Sequence, residues 1–167
     1  MYELKRLSAN NLGPALARAA HYRDLNQPEE AESICRDVLA VEPDHQEALK
    51  TLGLALTDRF PRHWRHLFDE ALGTFKKLEV EYERVYYEGV AWERHAKAHL
   101  DGGQAHNAAH AFENALEHYR RTMLLAPDQG DPILRWNRCV RALRERPEIV
   151  EALEAPRMSG HDVGDYE

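Results

Sequence analysis

Hydrophobic residues along the chain recur every three or four positions, in stretches separated by proline, glycine or acidic breaks. This period is typical of one face of an α-helix, and the alternation typical of a β-strand does not occur. The pattern predicts helices that begin near Pro14, Pro28, Asp44, His63, Val80, Gln104 and Asp131. A short eighth helix is expected over 148–153. We therefore expect an all-α fold.

Residues that favour the start or the end of a helix stand at several of the predicted helix ends. Asp44 stands three positions before Glu47, which is the spacing of a capping box for the third helix. The run 58–61 breaks the hydrophobic pattern before the fourth helix. Gly102 and Gly103 separate two long amphipathic helices, so we expect an antiparallel helical hairpin there.

Small residues recur at equivalent places in alternate helices. The odd-numbered helices carry Ala19, Gly53 and Gly89. In the even-numbered helices Ala31, Ala71 and Ala115 are each followed four residues later by Cys35, Phe75 and Tyr119. A small residue where two helices cross, with a bulky residue one turn later, is what stacked helical hairpins require.

This arrangement resembles the tetratricopeptide repeat (TPR) family, and the resemblance covers about 13–143. The segment 48–56 matches best, whereas the second repeat has extra residues around 60–64 and the last repeat is incomplete. The resemblance implies an α-solenoid of three to four TPR-like antiparallel helix hairpins, the third with elongated helices, over 13–145. Residues 1–12 would form an N-terminal lead-in, 146–156 a short capping helix, and 157–167 a flexible acidic tail.

In the TPR family the first helix of each pair lines a concave groove that holds a segment of another protein. The resemblance thus implies a non-enzymatic adaptor or scaffold. The implied groove residues are Arg23, Lys50, Leu54, Asp58, Tyr86, Val90, Arg94, Leu134, Arg138 and Arg141. They mix apolar groups with charges of both signs, which suits an amphipathic partner. Trp64, in the extra residues of the second repeat, is a candidate anchor for that partner.

Two further functions stay open at this stage. The first is a dedicated chaperone for a secreted or membrane client, because small acidic three-repeat chaperones of bacterial secretion systems are similar in length and charge. The second is a metal-binding regulatory protein, because His95 and His99 are four residues apart on one predicted helix and an i,i+4 histidine pair can chelate a divalent ion. Helical geometry puts His95 about 90° from the core direction, and it turns His106 and His110 away from the hairpin interior.

The amino-acid composition limits the classes of partner that the chain is expected to bind. The chain has 22 Lys and Arg against 29 Asp and Glu, a formal charge of −7, which repels nucleic acid and anionic membranes. No apolar run approaches the roughly 20 residues of a membrane span, no secretory signal is evident, and two cysteines suit a reducing compartment. We therefore expect a cytoplasmic protein without membrane insertion. Motifs of nucleophilic, phosphate-binding and metalloprotease sites do not occur, so we expect neither catalysis nor a cofactor.

The charge is unevenly distributed. Five arginines give the last helices a basic face, at positions Arg135, Arg138, Arg141, Arg144 and Arg146. One interpretation is a solvated face, and the other is contact with an acidic partner or with the glutamates of another copy. Self-association through the end repeats is a further alternative, because unfinished repeats expose apolar faces.

Overall fold

The computed structural model describes residues 2–154, with the backbone alone at 62–65 and 154. Within this part of the chain a 3-10 turn, Ala9–Asn11, precedes eight α-helices and short connections. The helices are α1 (Leu12–Asp24), α2 (Pro28–Val41), α3 (Gln46–Asp58), α4 (Phe60–Phe75), α5 (Glu81–Asp101), α6 (Ala105–Leu125), α7 (Asp131–Arg144) and α8 (Pro147–Glu154). The described residues are therefore all-helical, as the hydrophobic period predicts. The predicted acidic tail, 157–167, lies outside the described residues.

Two predicted helix starts are wrong. α3 begins after His45, whose Nδ1 accepts the Ala48 N–H at 3.3 Å, so His45 occupies the cap position in place of Asp44. α4 begins at Phe60 and not near His63. Pro61 is compatible with this earlier start because a proline is tolerated in the first helical turn. Phe60, the first residue of α4, is fully buried. The first turn of α4 therefore contributes to the core, at a place where the sequence pattern indicates a break.

The helices pack in sequence order. Each helix contacts the next one along the chain, and α1 also contacts α3, as α3 contacts α5. The first helices of successive pairs are thus neighbours. α5 and α6 form the predicted long hairpin, closed by a turn in which Gly103 has a φ of +69°, a conformation that glycine adopts readily. α8 packs back on α6 and α7.

The small and bulky residues of the sequence repeat contact one another. A Cβ added at Gly53 would lie 2.2 Å from the Phe75 ring, and one added at Gly89 would lie 2.9 Å from the Tyr119 ring. Each glycine therefore allows its helix to approach an aromatic residue of the next helix closely. Phe75 and Tyr119 are completely buried, so these two contacts lie at the centre of the α3–α4 and α5–α6 packing.

The core is continuous along the array. One cluster fills the space among α1 to α4, a second lies among α5 to α8, and a smaller cluster including Leu49, Phe75 and Ala91 connects them. α2 and α6 bury one face and leave the other polar, whereas α3 and α5 have buried residues on most sides. None of the helices in the described part of the chain is both long enough and apolar enough to cross a membrane.

Candidate functional site

The residues implied as a groove lie on α1, α3, α5 and α7, and we call the side of these helices that carries them the odd-helix face. It comprises Arg23, Lys50, Leu54, Asp58, Tyr86, Arg94, Leu134, Arg138 and Arg141, together with the neighbouring Tyr82, Glu83 and Arg135. Val90 is 1% exposed and packs in the core among α5 to α8, so its side chain has almost no surface to offer a partner.

Three of the predicted residues form one chain of ion pairs across three helices. Arg23 of α1 donates from Nε to Asp58 Oδ2 of α3 at 2.7 Å, and Arg94 of α5 binds the other oxygen of the same carboxylate. Arg94 also donates to Thr57 Oγ1 at 2.5 Å. Burial lowers the pKa of Arg94 even though Asp58 opposes the shift. These groups therefore hold α1, α3 and α5 together, and the two arginines share one carboxylate as their acidic partner.

Lys50 forms a second link between α3 and α5. Its Nζ lies 3.0 Å from Glu83 Oε1 and 3.0 Å from Glu47 Oε2. Burial opposes the charged form, but the two glutamates outweigh burial and raise the pKa of Lys50. Leu54, one turn further along α3, is half-buried and packs against the core.

Tyrosines form the next part of the odd-helix face, at the start of α5. The rings of Tyr82 and Tyr86 are parallel with centroids 6.1 Å apart, and Tyr86 meets Tyr87 edge to face at 5.1 Å. All three are half-buried. Tyr82 was not among the predicted residues, although its spacing of four from Tyr86 was a signal for a shared surface.

The central buried charge of α5 is Glu93, which is completely buried. Tyr119 of α6 donates its hydroxyl to Glu93 Oε2 at 2.8 Å, Lys97 binds Oε1, and Arg135 of α7 approaches Oε2 at 3.4 Å. Burial alone would raise the pKa of Glu93, but Lys97, Arg135 and Tyr119 together lower it. Glu93 thus connects α5 to α6 and α7 as a carboxylate.

The α7 part of the odd-helix face is different, because its side chains other than Arg135 are solvent-exposed. Leu134 is 67% exposed, and Arg138 and Arg141 are also exposed. Among the described side chains neither of these arginines has an ion-pair partner. Arg138 borders a small cavity of about 160 Å³ among α5, α6 and α7, which Lys97 and Glu145 also line.

His95 and His99 lie on a different side of α5, inside the protein. Their exposed fractions are 9% and 6%, and their rings stack with centroids 4.4 Å apart. The expected angle of about 90° from the core was a poor guide to burial, because Phe60 and Phe68 of α4 pack against His95. Burial, with a smaller contribution from His99, lowers the pKa of His95 to about 4.

The histidine pair has no third ligand among the described side chains. Nowhere in that part of the chain do three or more His, Cys, Asp or Glu side chains come together as a metal site. His106 and His110 are exposed on α6, in agreement with the helical geometry. The side chain of Trp64, the candidate anchor, lies outside the described residues.

Comparison with known proteins adds no family. The sequence matches no protein-family model, and a search of curated proteins finds no relative.

Proposed function

We propose that the chain is a non-enzymatic adaptor or scaffold of the TPR type that binds a segment of another protein along the odd-helix face. The order of helix contacts supports this proposal, because α1, α3 and α5 are neighbours although each pair is separated in sequence by another helix. The proposal also depends on a repeated helical hairpin. Two close contacts at equivalent places support that repeat, Gly53 with Phe75 and Gly89 with Tyr119.

The observation that carries the proposal is the partly exposed aromatic and apolar surface where α5 and α7 begin. Tyr82 and Tyr86 are half-buried and Leu134 is 67% exposed. The two helix starts are close together, since Asp131 at the start of α7 contributes to the raised pKa of Tyr82, after burial and Tyr86. Tyrosine combined with an apolar side chain is a common composition for the centre of a protein interface.

The charged pairs around this surface would determine how a partner lies on it. Lys50 with Glu83 and Arg94 with Asp58 fix the neighbouring side chains, so the surface is largely rigid before binding. A preorganised surface loses less conformational entropy when it binds a partner. The proposed partner is therefore a protein segment with apolar side chains that cover the tyrosines.

The test is affinity purification from host-cell lysate with the full chain as bait, followed by titration of the recovered protein. The variant Tyr82→Ser with Leu134→Ser should lose about tenfold or more in affinity, because it removes two contact side chains that are outside the core. Leu25→Ser is the matched control. Leu25 is 53% exposed, and it lies just after α1, far along the chain from Tyr82 and Leu134. Unchanged binding by the double variant, with a normal circular dichroism spectrum, would overturn the proposal.

A further inference from the structure

The outward side of α7 carries a local charge opposite to that of the whole protein. Residues 131–146 contain five arginines and two acids, a local formal charge of +3 in a chain of −7. Arg138, Arg141 and Arg144 are exposed, and none of the three is in an ion pair with any of the side chains that the structure describes. Cations that are both exposed and unneutralised are available to an incoming anion.

Leu134, Arg138 and Arg141 form a single stripe on α7, which we call the α7 stripe. At 100° per residue the three side chains fall within about 60° of one another, and they cover about 10 Å of helix. Pro132 and Cys139 are buried on the opposite side of the same helix. The α7 stripe therefore points away from the core, with its apolar residue at one end and its two arginines following.

The other basic residues of the odd-helix face already have acidic partners. Asp58 binds both Arg23 and Arg94, and Glu83 and Glu47 bind Lys50. A partner carboxylate that approached those groups would compete with an existing ion pair. At the α7 stripe it would meet guanidinium groups that lose only water, and an Arg–carboxylate pair can form two parallel hydrogen bonds.

We infer that the segment bound by this protein is acidic and contacts the α7 stripe. This inference rests on the proposed function and adds the chemistry of the partner. An extended chain advances about 3.3 Å per residue, whereas Arg138 is about 6 Å and Arg141 about 10 Å along α7 from Leu134. The fitting segment has an apolar residue that covers Leu134, an acidic residue two positions later and a second one three to four positions later, of which the fourth faces the same side of an extended chain.

A protein segment fits the stripe better than a nucleic acid does. Leu134 gives a phosphate backbone no favourable contact, and two or three arginines would neutralise few phosphates while the rest of the chain repels the others. A single acidic segment needs only two ion pairs and one apolar contact, which are the three groups that the stripe provides.

The experiment is a fluorescence anisotropy titration of the full chain with labelled seven-residue peptides. The acidic probe is Gly-Leu-Ser-Glu-Ser-Glu-Gly, its counterpart carries lysine at both glutamate positions, and a short oligothymidylate is the nucleic-acid probe. The acidic peptide should bind about tenfold or more tightly than the lysine peptide, and its affinity should fall as salt rises. Arg138→Glu with Arg141→Glu should weaken that binding about tenfold or more.

The matched control is Arg18→Glu with Arg121→Glu, which changes the net charge equally at two exposed arginines on α1 and α6. Equal weakening by the control, tighter binding of oligothymidylate, or no binding of the acidic peptide would overturn the inference. The proposed function is tested separately: if the protein recovered by affinity purification depends on Tyr82 and Leu134 but tolerates reversal of Arg138 and Arg141, that function stands and the acidic-segment inference falls.

Discussion

α5 and α7 carry charged residues at nearly the same density, eight of 21 in α5 and five of 14 in α7, yet they use them in opposite ways. α5 buries Glu93 completely and binds it to Lys97, Tyr119 and Arg135. α7 leaves most of its arginines in solvent. The two helices therefore differ in the environment of their charges as well as in the sign, since α5 has five acidic and three basic residues and α7 has one acidic and four basic residues.

The difference follows from the position of each helix in the array. α5 packs against α3, α4 and α6, so most of its circumference is covered, whereas α7 packs mainly on α6 and α8. A charge inside the array must be paired because desolvation is costly, and a charge at the end can stay hydrated. The interior helix α5 thus uses its buried charge to hold neighbouring helices together, whereas most arginines of α7 stay hydrated.

The largest effect is expected for Glu93→Ala. The substitution leaves Lys97, Arg135 and the Tyr119 hydroxyl without their shared acceptor, and breaking a buried ion pair costs about 3–5 kcal/mol of unfolding free energy. The loss of unfolding free energy is measured by urea denaturation, monitored by circular dichroism at the helix band. Glu117→Ala is the control, because Glu117 pairs only with Arg120 on the exposed side of α6, and its midpoint should stay unchanged. A small loss for Glu93→Ala would remove the distinction between α5 and α7.

The second effect is a dependence of the stability of the folded protein on pH, caused by His95. Its pKa is lowered from 6.5 to about 4 in the folded protein, so the unfolded chain binds the proton more tightly. Stability is therefore lost as pH falls from about 6.5 to 4, by about 3 kcal/mol for this shift. His95→Phe keeps a ring among Phe60, Phe68 and Trp92 and should lose less stability over that range. Parallel pH profiles for the two proteins, from urea denaturation, would contradict the assignment.

The third effect concerns the close approach of α5 to α6. Gly89→Ala places a Cβ 2.9 Å from Tyr119 Cε1, and the ring cannot move freely because its hydroxyl binds Glu93. Overpacking of this kind costs about 1–2 kcal/mol. Gly73→Ala is the matched control: Gly73 lies within α4 with no atom in reach of a new Cβ, so the better helix propensity of alanine should raise stability. Equal changes for both variants would refute the close packing at Gly89.

The sequence predicted the helices well where local pattern determines them. α7 begins at the predicted residue, Asp131, and residues that the sequence repeat singles out pack against each other, Gly53 on Phe75 and Gly89 on Tyr119. These features depend on the hydrophobic period and on side-chain size, and both can be read from a single amino-acid sequence.

Burial of polar residues could not be predicted in the same way. Glu93 belongs to a run that resembles a solvated acidic face, and Arg94 beside it was expected to be available to a partner. Their environments depend on residues of other helices, Tyr119 and Arg135 for Glu93 and Asp58 for Arg94. Helical geometry gives the direction of a side chain from its own helix, but it cannot tell how many neighbouring helices cover that direction.

The smallest effect is expected when exposed arginines are removed from α7. Arg141→Ala with Arg144→Ala should change the free energy of unfolding by less than about 0.5 kcal/mol, since neither arginine pairs with a side chain in the described part of the chain and both lie in solvent. The same substitution in α5, Arg94→Ala, removes hydrogen bonds to Asp58 and Thr57 and should cost about 1–3 kcal/mol. Urea denaturation of both variants compares the same residue type inside the array and at its end. Similar costs would mean that α7 uses its arginines for folding, and the reason for regarding them as free for a partner would be lost.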